Sequence, residues 1–211
     1  MRTMCFLLFA FFMLLSSLSF AQGTPNVVLL KQFNLYPNDG YSDVWGYTAP
    51  DGREYALHGG RTGTGIYDIS DDTNMYQVTF IPNATSDWKD LKVYQHYAYV
   101  VNEETGGMEI IDLSDLPNSA SVIGFYNGFS TSHNIYIDEA NGLLYAEGGG
   151  GGAVKILSLA DPENPVQINS FAPACHDIYV QNEMMVLSEG NTNTFSFWNV
   201  SDPLTPLEVS S

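Results

Sequence analysis

One phrase recurs four times along the chain, and this repetition restricts the chain to a modular fold. The phrase is a short apolar run that ends in Asp, Asn or Ser and is followed by a polar turn. The run ends at Asp68, Asp112, Ser158 and Asn199, which lie 44, 46 and 41 residues apart. A period of about 44 residues is too long for a leucine-rich repeat and matches one four-stranded propeller blade.

Each repeat has the sequence pattern of four strands. In the second repeat, segments 89–94, 97–102, 108–113 and 120–126 are rich in Val, Ile, Tyr and Phe. Gly, Asn, Pro and Ser separate these segments, as at strand ends. We therefore predict an all-β fold, a β-propeller with four recognisable four-stranded blades. The four units cover about 42–81, 89–126, 132–171 and 175–210.

The polar residue that ends each apolar run has a structural role in this interpretation. The third strand of a blade lies between neighbouring blades, so it must be apolar. Asp, Asn and Ser side chains can then bond the backbone of the turn that follows. We therefore assign Asp68 and its three counterparts to turn formation.

The first 21 residues have the features of a secretory signal peptide. Arg2 precedes an apolar run, and Ser19-Phe20-Ala21 fits a signal-peptidase site. A membrane anchor is the alternative, but the run is at the short end for crossing a bilayer. We expect segment 1–21 to be removed. The mature chain, 22–211, should then have no transmembrane span and be extracellular or displayed on the cell surface.

The charge of the chain restricts its partners. It carries 24 acidic and 7 basic residues, a formal net charge of −17. The resulting field repels nucleic acids and anionic membranes. The charge is compatible with cation binding, or simply with solubility outside the cell. A protein or a glycan is the kind of partner that we consider for a binding module.

One count of strands predicts an incomplete ring. Segment 26–35 resembles a fourth strand and precedes the four repeats. In a closed propeller it would complete the final blade, but the fourth repeat already has its own fourth strand. We therefore expect truncation at the C-terminus, missing downstream blades and exposed sheet edges.

Polar residues recur where the innermost strands begin and where the second strands end. In an antiparallel pair these two points share one edge of the sheet. In a propeller, all such edges lie on one face near the central channel. The innermost-strand positions are Asp43, Asp90, Asn134 and Asp177, preceded by Ser42, Lys89, His133 and His176. The second-strand positions are His58, Asn102, Glu189 and, one place away, Glu147.

Two interpretations of these residues stay open. In the structural one, each Asp accepts backbone N–H bonds from a neighbouring blade. In the functional one, the residues bind a ligand or a divalent metal whose identity the sequence does not give. Trp45 and Trp88 would then offer stacking surfaces for a sugar or peptide. The candidate metal ligands are His133, His176 and Asp177. The other candidate ligand-binding residues are His58, Asp43, Asp90, Glu147 and Glu189.

Several segments resemble the LVIVD-repeat proteins, and more closely the group named choice-of-anchor B. They are "YAYVVNEETGGMEIIDLSDLP" at 97–117, "SDVWGY" at 42–47, "SHNIYID" at 132–138, "CHDIYV" at 175–180 and "SDPLTP" at 201–206. The resemblance implies a secreted or surface-displayed β-propeller. It implies no particular activity.

The sequence supports three hypotheses about function. The first is a non-enzymatic binding module. We favour it because no catalytic triad or complete metal-binding motif can be recognised in the sequence. The second is a metal-dependent hydrolase or lyase that uses the His/Asp/Glu cluster on the channel face. The third is a purely structural module of a larger surface protein.

Overall fold

A computed structural model of the protein describes residues 27–148, 152–171, 173–189 and 192–211. The predicted signal peptide, 1–21, lies outside these residues. Within them the regular secondary structure is entirely β-strand, which confirms the predicted all-β class. No helix in this part of the chain is long and apolar enough to cross a membrane.

Sixteen strands form four antiparallel sheets, and each sheet contains four strands that are consecutive in the sequence. This is the blade architecture that the repeat predicts. Blade 1 contains β1 (Tyr41–Thr48), β2 (Glu54–Gly60), β3 (Gly63–Asp68) and β4 (Tyr76–Pro82). Blade 2 contains β5 (Lys89–Tyr94), β6 (Tyr97–Asn102), β7 (Met108–Asp112) and β8 (Ser121–Tyr126). Blade 3 contains β9 (Ile135–Asp138), β10 (Leu143–Gly148), β11 (Gly152–Ser158) and β12 (Val166–Phe171). Blade 4 contains β13 (Asp177–Gln181), β14 (Met184–Glu189), β15 (Thr194–Asn199) and β16 (Leu207–Ser210).

The additional strand expected at 26–35 is not formed in the described part of that segment. Residues 27–35 are irregular, and residues 27–32 are exposed and belong to a unit separate from Phe33–Ser211. A strand persists only where a neighbour satisfies its backbone groups. Each of the four sheets is instead completed by the fourth strand of its own repeat.

Apolar side chains fill the space between successive blades. Separate clusters of buried residues join blade 1 to blade 2, blade 2 to blade 3 and blade 3 to blade 4. In blades 1 to 3 the third strands are buried as predicted, since Ile66, Ile110 and Ile156 are 0%, 1% and 0% exposed. The third strand of blade 4, β15, is instead largely exposed, with Phe195 62% and Phe197 42% exposed. The innermost strands meet in sequence order, β1 with β5, β5 with β9 and β9 with β13.

The turns after the third strands are built as the sequence predicts. Asp68, Asp112 and Asn199 each accept a bond from the backbone N–H two residues later, at 2.8 to 2.9 Å. The Ser158 hydroxyl accepts the equivalent bond at 3.3 Å. Turn formation therefore explains why these four polar residues recur.

Candidate functional site

Side chains at the start of the innermost strands join each blade to the next. The Leu91 N–H donates at 2.9 Å to Asp90 of its own strand. Across the blade junctions, the Leu91 N–H also donates to Asp43 at 3.4 Å, the Ile135 N–H to Asp90 at 2.6 Å and the Ile178 N–H to Asn134 at 3.4 Å. We call the three hydrogen bonds across the junctions the inter-blade ladder. They show the contacts that the structural interpretation expects.

A buried cluster of charges surrounds the first two acceptors of the ladder. The Lys92 ammonium pairs with the Asp90 carboxylate and lies 3.4 Å from the Asp43 carboxylate. Asp90 is 5% exposed and Lys92 is 7% exposed. The Lys92 ammonium also lies 4.6 Å from the centre of the Trp45 ring, a cation–π contact between blades 1 and 2. Trp45 therefore contributes to the junction of these blades.

The pKa values of Asp90 and Asp43 shift in opposite directions. Burial is the largest contribution to the shift at Asp90. It raises the pKa of Asp90 to about 7, and a hydrogen bond to Asp43 acts in the same direction. The charge of Lys92 acts against this shift. Burial also acts upward on Asp43, but the hydrogen bond from Asp90 and the charge of Lys92 outweigh it and lower its pKa. Asp90 therefore binds its proton more tightly than Asp43 does.

This arrangement predicts a pH dependence of stability. Because the pKa of Asp90 is about 7 when folded and near 3.8 when unfolded, the folded state holds the proton more tightly. The stabilisation is complete below pH 3.8 and is lost as the pH rises through 7. The slope reaches at most about 1.4 kcal/mol per pH unit.

The test is urea unfolding at pH 5 and pH 8, within and above the window set by the Asp90 pKa of about 7. We expect Asp90→Asn to reduce the excess stability at the lower pH, because Asn does not titrate. Groups elsewhere, such as His58, whose pKa is lowered by burial, contribute equally to both proteins. An unchanged difference between the two pH values would show that Asp90 does not carry the effect.

A pocket opens on the same face as the ladder, where three successive blades meet. Its volume is about 300 Å³. Trp88, a residue that is 60% exposed, forms part of the wall. The Ser86 hydroxyl donates to the Trp88 carbonyl at 2.7 Å and so fixes the loop that carries the ring. The other lining residues are Tyr41, Ser42, Asp43, Lys89, Asp90, His133 and Asn134.

Lys89 lines this pocket, and its side chain bonds to the first blade. Its ammonium donates to the carbonyls of Gly60 and Arg61 at 2.9 and 3.0 Å and to the Asn83 side chain at 2.5 Å. Burial lowers its pKa to about 8, while the charge of Glu109 acts in the opposite direction. With three protein oxygens bound, the ammonium is a structural group.

The two histidines predicted as metal ligands lie side by side. The rings of His133 and His176 are 4.2 Å apart between their centres. The His133 ring contacts the Glu103 carboxylate, and the Nδ1 atom of His176 is 2.7 Å from the Asp177 carboxylate. The Glu147 carboxylate accepts the His133 backbone N–H at 2.9 Å. Burial raises the pKa of Glu147.

The fold therefore brings His133, His176, Asp177 and Glu147 to neighbouring positions. Among the described residues, no group of three or more His, Cys, Asp or Glu side chains has the geometry of a metal site.

The pocket lining does not include Trp45, Glu147, His176 or Asp177. Two further predicted residues, His58 and Glu189, also lie outside it. His58 is 9% exposed and is buried in β2, with its ring centre 5.2 Å from that of Tyr41. Its Nε2 atom has no hydrogen-bond partner in the described structure. Glu189 lies at the end of β14 and accepts bonds from the hydroxyl of Thr192, at 3.0 Å through its carbonyl and at 3.3 Å through its carboxylate.

The sequence interpretation did not select every residue that shapes this face. Tyr41 lines the pocket, and Glu103 contacts His133 from the loop after β6. Neither residue belongs to a repeated column, so periodicity gave no signal for them. Lys92 lies two residues after Asp90 and therefore on the same side of the strand. This spacing could have indicated the ion pair between them.

Comparison with known proteins supports the fold and no narrower assignment. No protein-family model matches this sequence, and no curated protein matches it. The structure is similar to a provisionally assigned 6-phosphogluconolactonase of Bacteroides uniformis, with a TM-score of 0.62, 11% identity and coverage of 78% of this chain and 52% of that one. It is also similar to a protein of Lactobacillus plantarum, with a TM-score of 0.60, 14% identity and coverage of 77% and 53%.

A third similar structure is the N-terminal domain of Nup159, with a TM-score of 0.50 and 10% identity. The match covers 80% of this chain and 48% of that domain. The chain thus spans about half the length of the solved structures that it matches. Together, the four sheets and these similarities define a β-propeller protein. At such low identity the similarities show the fold alone, because one fold serves many functions.

Proposed function

We propose that this protein is an exported β-propeller that acts as a non-enzymatic binding module, either secreted or displayed on the cell surface. The pocket beside Trp88 is the observation that carries the proposal. It draws residues from three blades, has a volume of about 300 Å³ and includes Trp88, which is 60% exposed. This volume is at the lower end of the range for small-molecule sites.

The chemistry of the pocket favours a neutral glycan. The apolar face of a sugar ring packs on an indole, which offers a large rigid apolar surface. Sugar hydroxyls can bond to Asp43, Asn134 and Ser42, which line the same pocket. The net charge of −17 disfavours anionic ligands.

The bonding of the carboxyl groups favours binding over catalysis. Asp90 accepts a backbone N–H and pairs with Lys92, and Asp43 accepts another backbone N–H. A general acid or base must be free to exchange protons with a substrate. Both groups are instead engaged in joining the blades.

The test uses an array of neutral and acidic oligosaccharides and a panel of proteins, followed by titration with the best neutral oligosaccharide while intrinsic fluorescence is recorded. We expect Trp88→Ala to weaken binding at least tenfold, or about 1.4 kcal/mol. Phe125→Ala is the matched control, because Phe125 is also an exposed aromatic residue, 56% accessible, on the outermost strand of blade 2. Equal binding by both variants, or binding to acidic sugars alone, would refute the proposal, and binding only to proteins would refute its glycan part.

A further inference from the structure

A lysine, an asparagine and a glutamate contact one another in series at the junction of blades 1 and 2. The Lys89 ammonium donates to the Asn83 side-chain oxygen Oδ1 at 2.5 Å, which is shorter than an ordinary N–H···O hydrogen bond. The Asn83 Nδ2 atom donates to the Glu109 carboxylate at 3.0 Å and to the Thr64 hydroxyl at 3.1 Å. Lys89 and Glu109 are only 3% and 6% exposed. The amide of Asn83 therefore lies between a buried amine and a buried carboxyl group.

These contacts hold the Lys89 nitrogen close to the carbonyl carbon of the Asn83 amide. Because a C=O bond is about 1.2 Å long, Nζ lies within about 3.7 Å of Cγ. This is close to the separation of two reacting atoms just before a nucleophilic attack. The carbonyls of Gly60 and Arg61 accept from the same nitrogen and keep it in this position.

Burial favours the neutral forms of the amine and the carboxyl group. It lowers the pKa of Lys89 to about 8, although the charges of Glu109 and Asp39 act in the opposite direction. It raises the pKa of Glu109, although the hydrogen bond from Asn83 and the charge of Lys89 act against this shift. A fraction of Lys89 is then an uncharged amine, which is the nucleophilic form, and a fraction of Glu109 is a carboxylic acid.

We propose that Lys89 and Asn83 join through an intramolecular isopeptide bond between Nζ and Cγ. The uncharged amine of Lys89 attacks Cγ, and the Nζ–Cγ bond forms. The Cγ–Nδ2 bond breaks as the protonated Glu109 gives its proton to Nδ2, which leaves as ammonia. Glu109 then recovers a proton from Nζ, which becomes an amide N–H. The exchange consumes no further reagent and releases one ammonia for each bond formed.

A small cavity beside these side chains can receive the ammonia. Its volume is about 30 Å³, and Asn83, Lys89 and Glu109 line it together with the apolar residues Val100 and Phe125. A water molecule, which ammonia resembles in size, needs about 10–15 Å³ of such space. The same burial limits the access of bulk water to the new amide, so the bond is protected from hydrolysis.

The isopeptide bond closes residues 83–89 into a covalent loop. Asn83 follows β4 of blade 1 and Lys89 begins β5 of blade 2, so the bond joins two successive blades. The loop also carries Trp88, and its closure restricts the movement of that residue on the face that bears the pocket. The only cysteine among the described residues is Cys175, so no disulfide can link blades in this part of the chain.

Tryptic mapping of the purified, denatured protein by mass spectrometry tests the proposal. Trypsin cuts only after an unmodified lysine, so the bond at Lys89 leaves 62–92 as one peptide, lighter than its sequence by one ammonia. Cleavage after Lys92 is the internal control, because this lysine is also buried but contacts carboxylates and a backbone carbonyl instead of an amide side chain. Cyclisation of Asn83 with its own backbone would also release ammonia, but it would leave Lys89 open to trypsin and yield 62–89.

Two variants then test the roles of the partners. Glu109→Gln keeps the size of the side chain and an acceptor for Asn83 but cannot supply the proton, and Asn83→Ala removes the group that is attacked. We expect both variants to be cut after Lys89 without loss of ammonia, whereas Glu104→Gln, the same change at an exposed position, should remain linked. Circular dichroism confirms the folding of each variant. Wild-type protein that yields 62–89, or a linked peptide in Glu109→Gln, would overturn the proposal.

Discussion

Replacing Asp90 with Ala is expected to lower the free energy of unfolding by about 3 kcal/mol, since removing one partner of a buried ion pair leaves the other charge uncompensated. The side chain pairs with Lys92 and accepts the Ile135 N–H at 2.6 Å. Both groups are buried, so water cannot replace the lost carboxylate. The measurement is equilibrium unfolding in urea at pH 8, above the Asp90 pKa of about 7, where Asp90 is mostly a carboxylate.

Asp177→Ala is the control, because Asp177 has the same place in its repeat but its side chain is 58% exposed. We expect a change below about 0.5 kcal/mol, as for other surface substitutions. Equal losses in the two variants would mean that the ladder does not hold the blades together.

Ile110→Ala should destabilise the protein by about 3 kcal/mol, through lost burial and the cavity left behind. Ile110 is 1% exposed and lies in the third strand of blade 2, in the cluster shared with blade 3. Ile123→Ala makes the same chemical change in β8 of the same blade, where the side chain is 42% exposed. That variant should lose less than about 1 kcal/mol.

The free energies of unfolding are again taken from urea titrations. A similar small loss at both positions would contradict the assignment of the third strand to the space between two blades. A large loss at Ile123 with a small one at Ile110 would reverse the inner and outer parts of the blade.

The repeated parts of the fold could be predicted because the same pattern occurs four times. An uncertain strand assignment in one repeat can then be checked against the other three. Asp112 by itself is an ordinary acid, but three counterparts at nearly equal spacing fix the end of every third strand. The same alignment placed Asp43, Asp90, Asn134 and Asp177 in one column, and the structure joins three of them to the next blade. Antiparallel pairing then required His133 and His176 to lie on one face.

The irregular parts could not be predicted, because each of them occurs once. Residues 33–41 cover one side of blade 1 through rings such as Tyr36 and Tyr41. Segment 26–35, whose sequence resembles a strand, is irregular where the structure describes it. Whether such a segment pairs or packs depends on which sheet edges are available, and one sequence does not show this. His58 shared an alignment column with site residues, yet residues 33–41 bury it away from the pocket.

The inter-blade ladder and the pocket share residues, so binding and stability are linked in this protein. Asp43 and Asn134 line the cavity and accept N–H groups from the following blade. A ligand that bonds to them would also contact the junctions between three blades. Such a ligand should stabilise the folded protein according to its affinity.

Amide hydrogen exchange at Ile135, measured by NMR in the wild type and in Asp90→Ala, tests the central claim most directly. The Ile135 N–H donates to Asp90, whereas the Ile178 N–H donates to Asn134. We predict that the substitution removes the protection of Ile135 to a much greater extent than that of Ile178. Equal protection of Ile135 in both proteins would contradict the account, because its amide would then not depend on the side chain of the preceding blade.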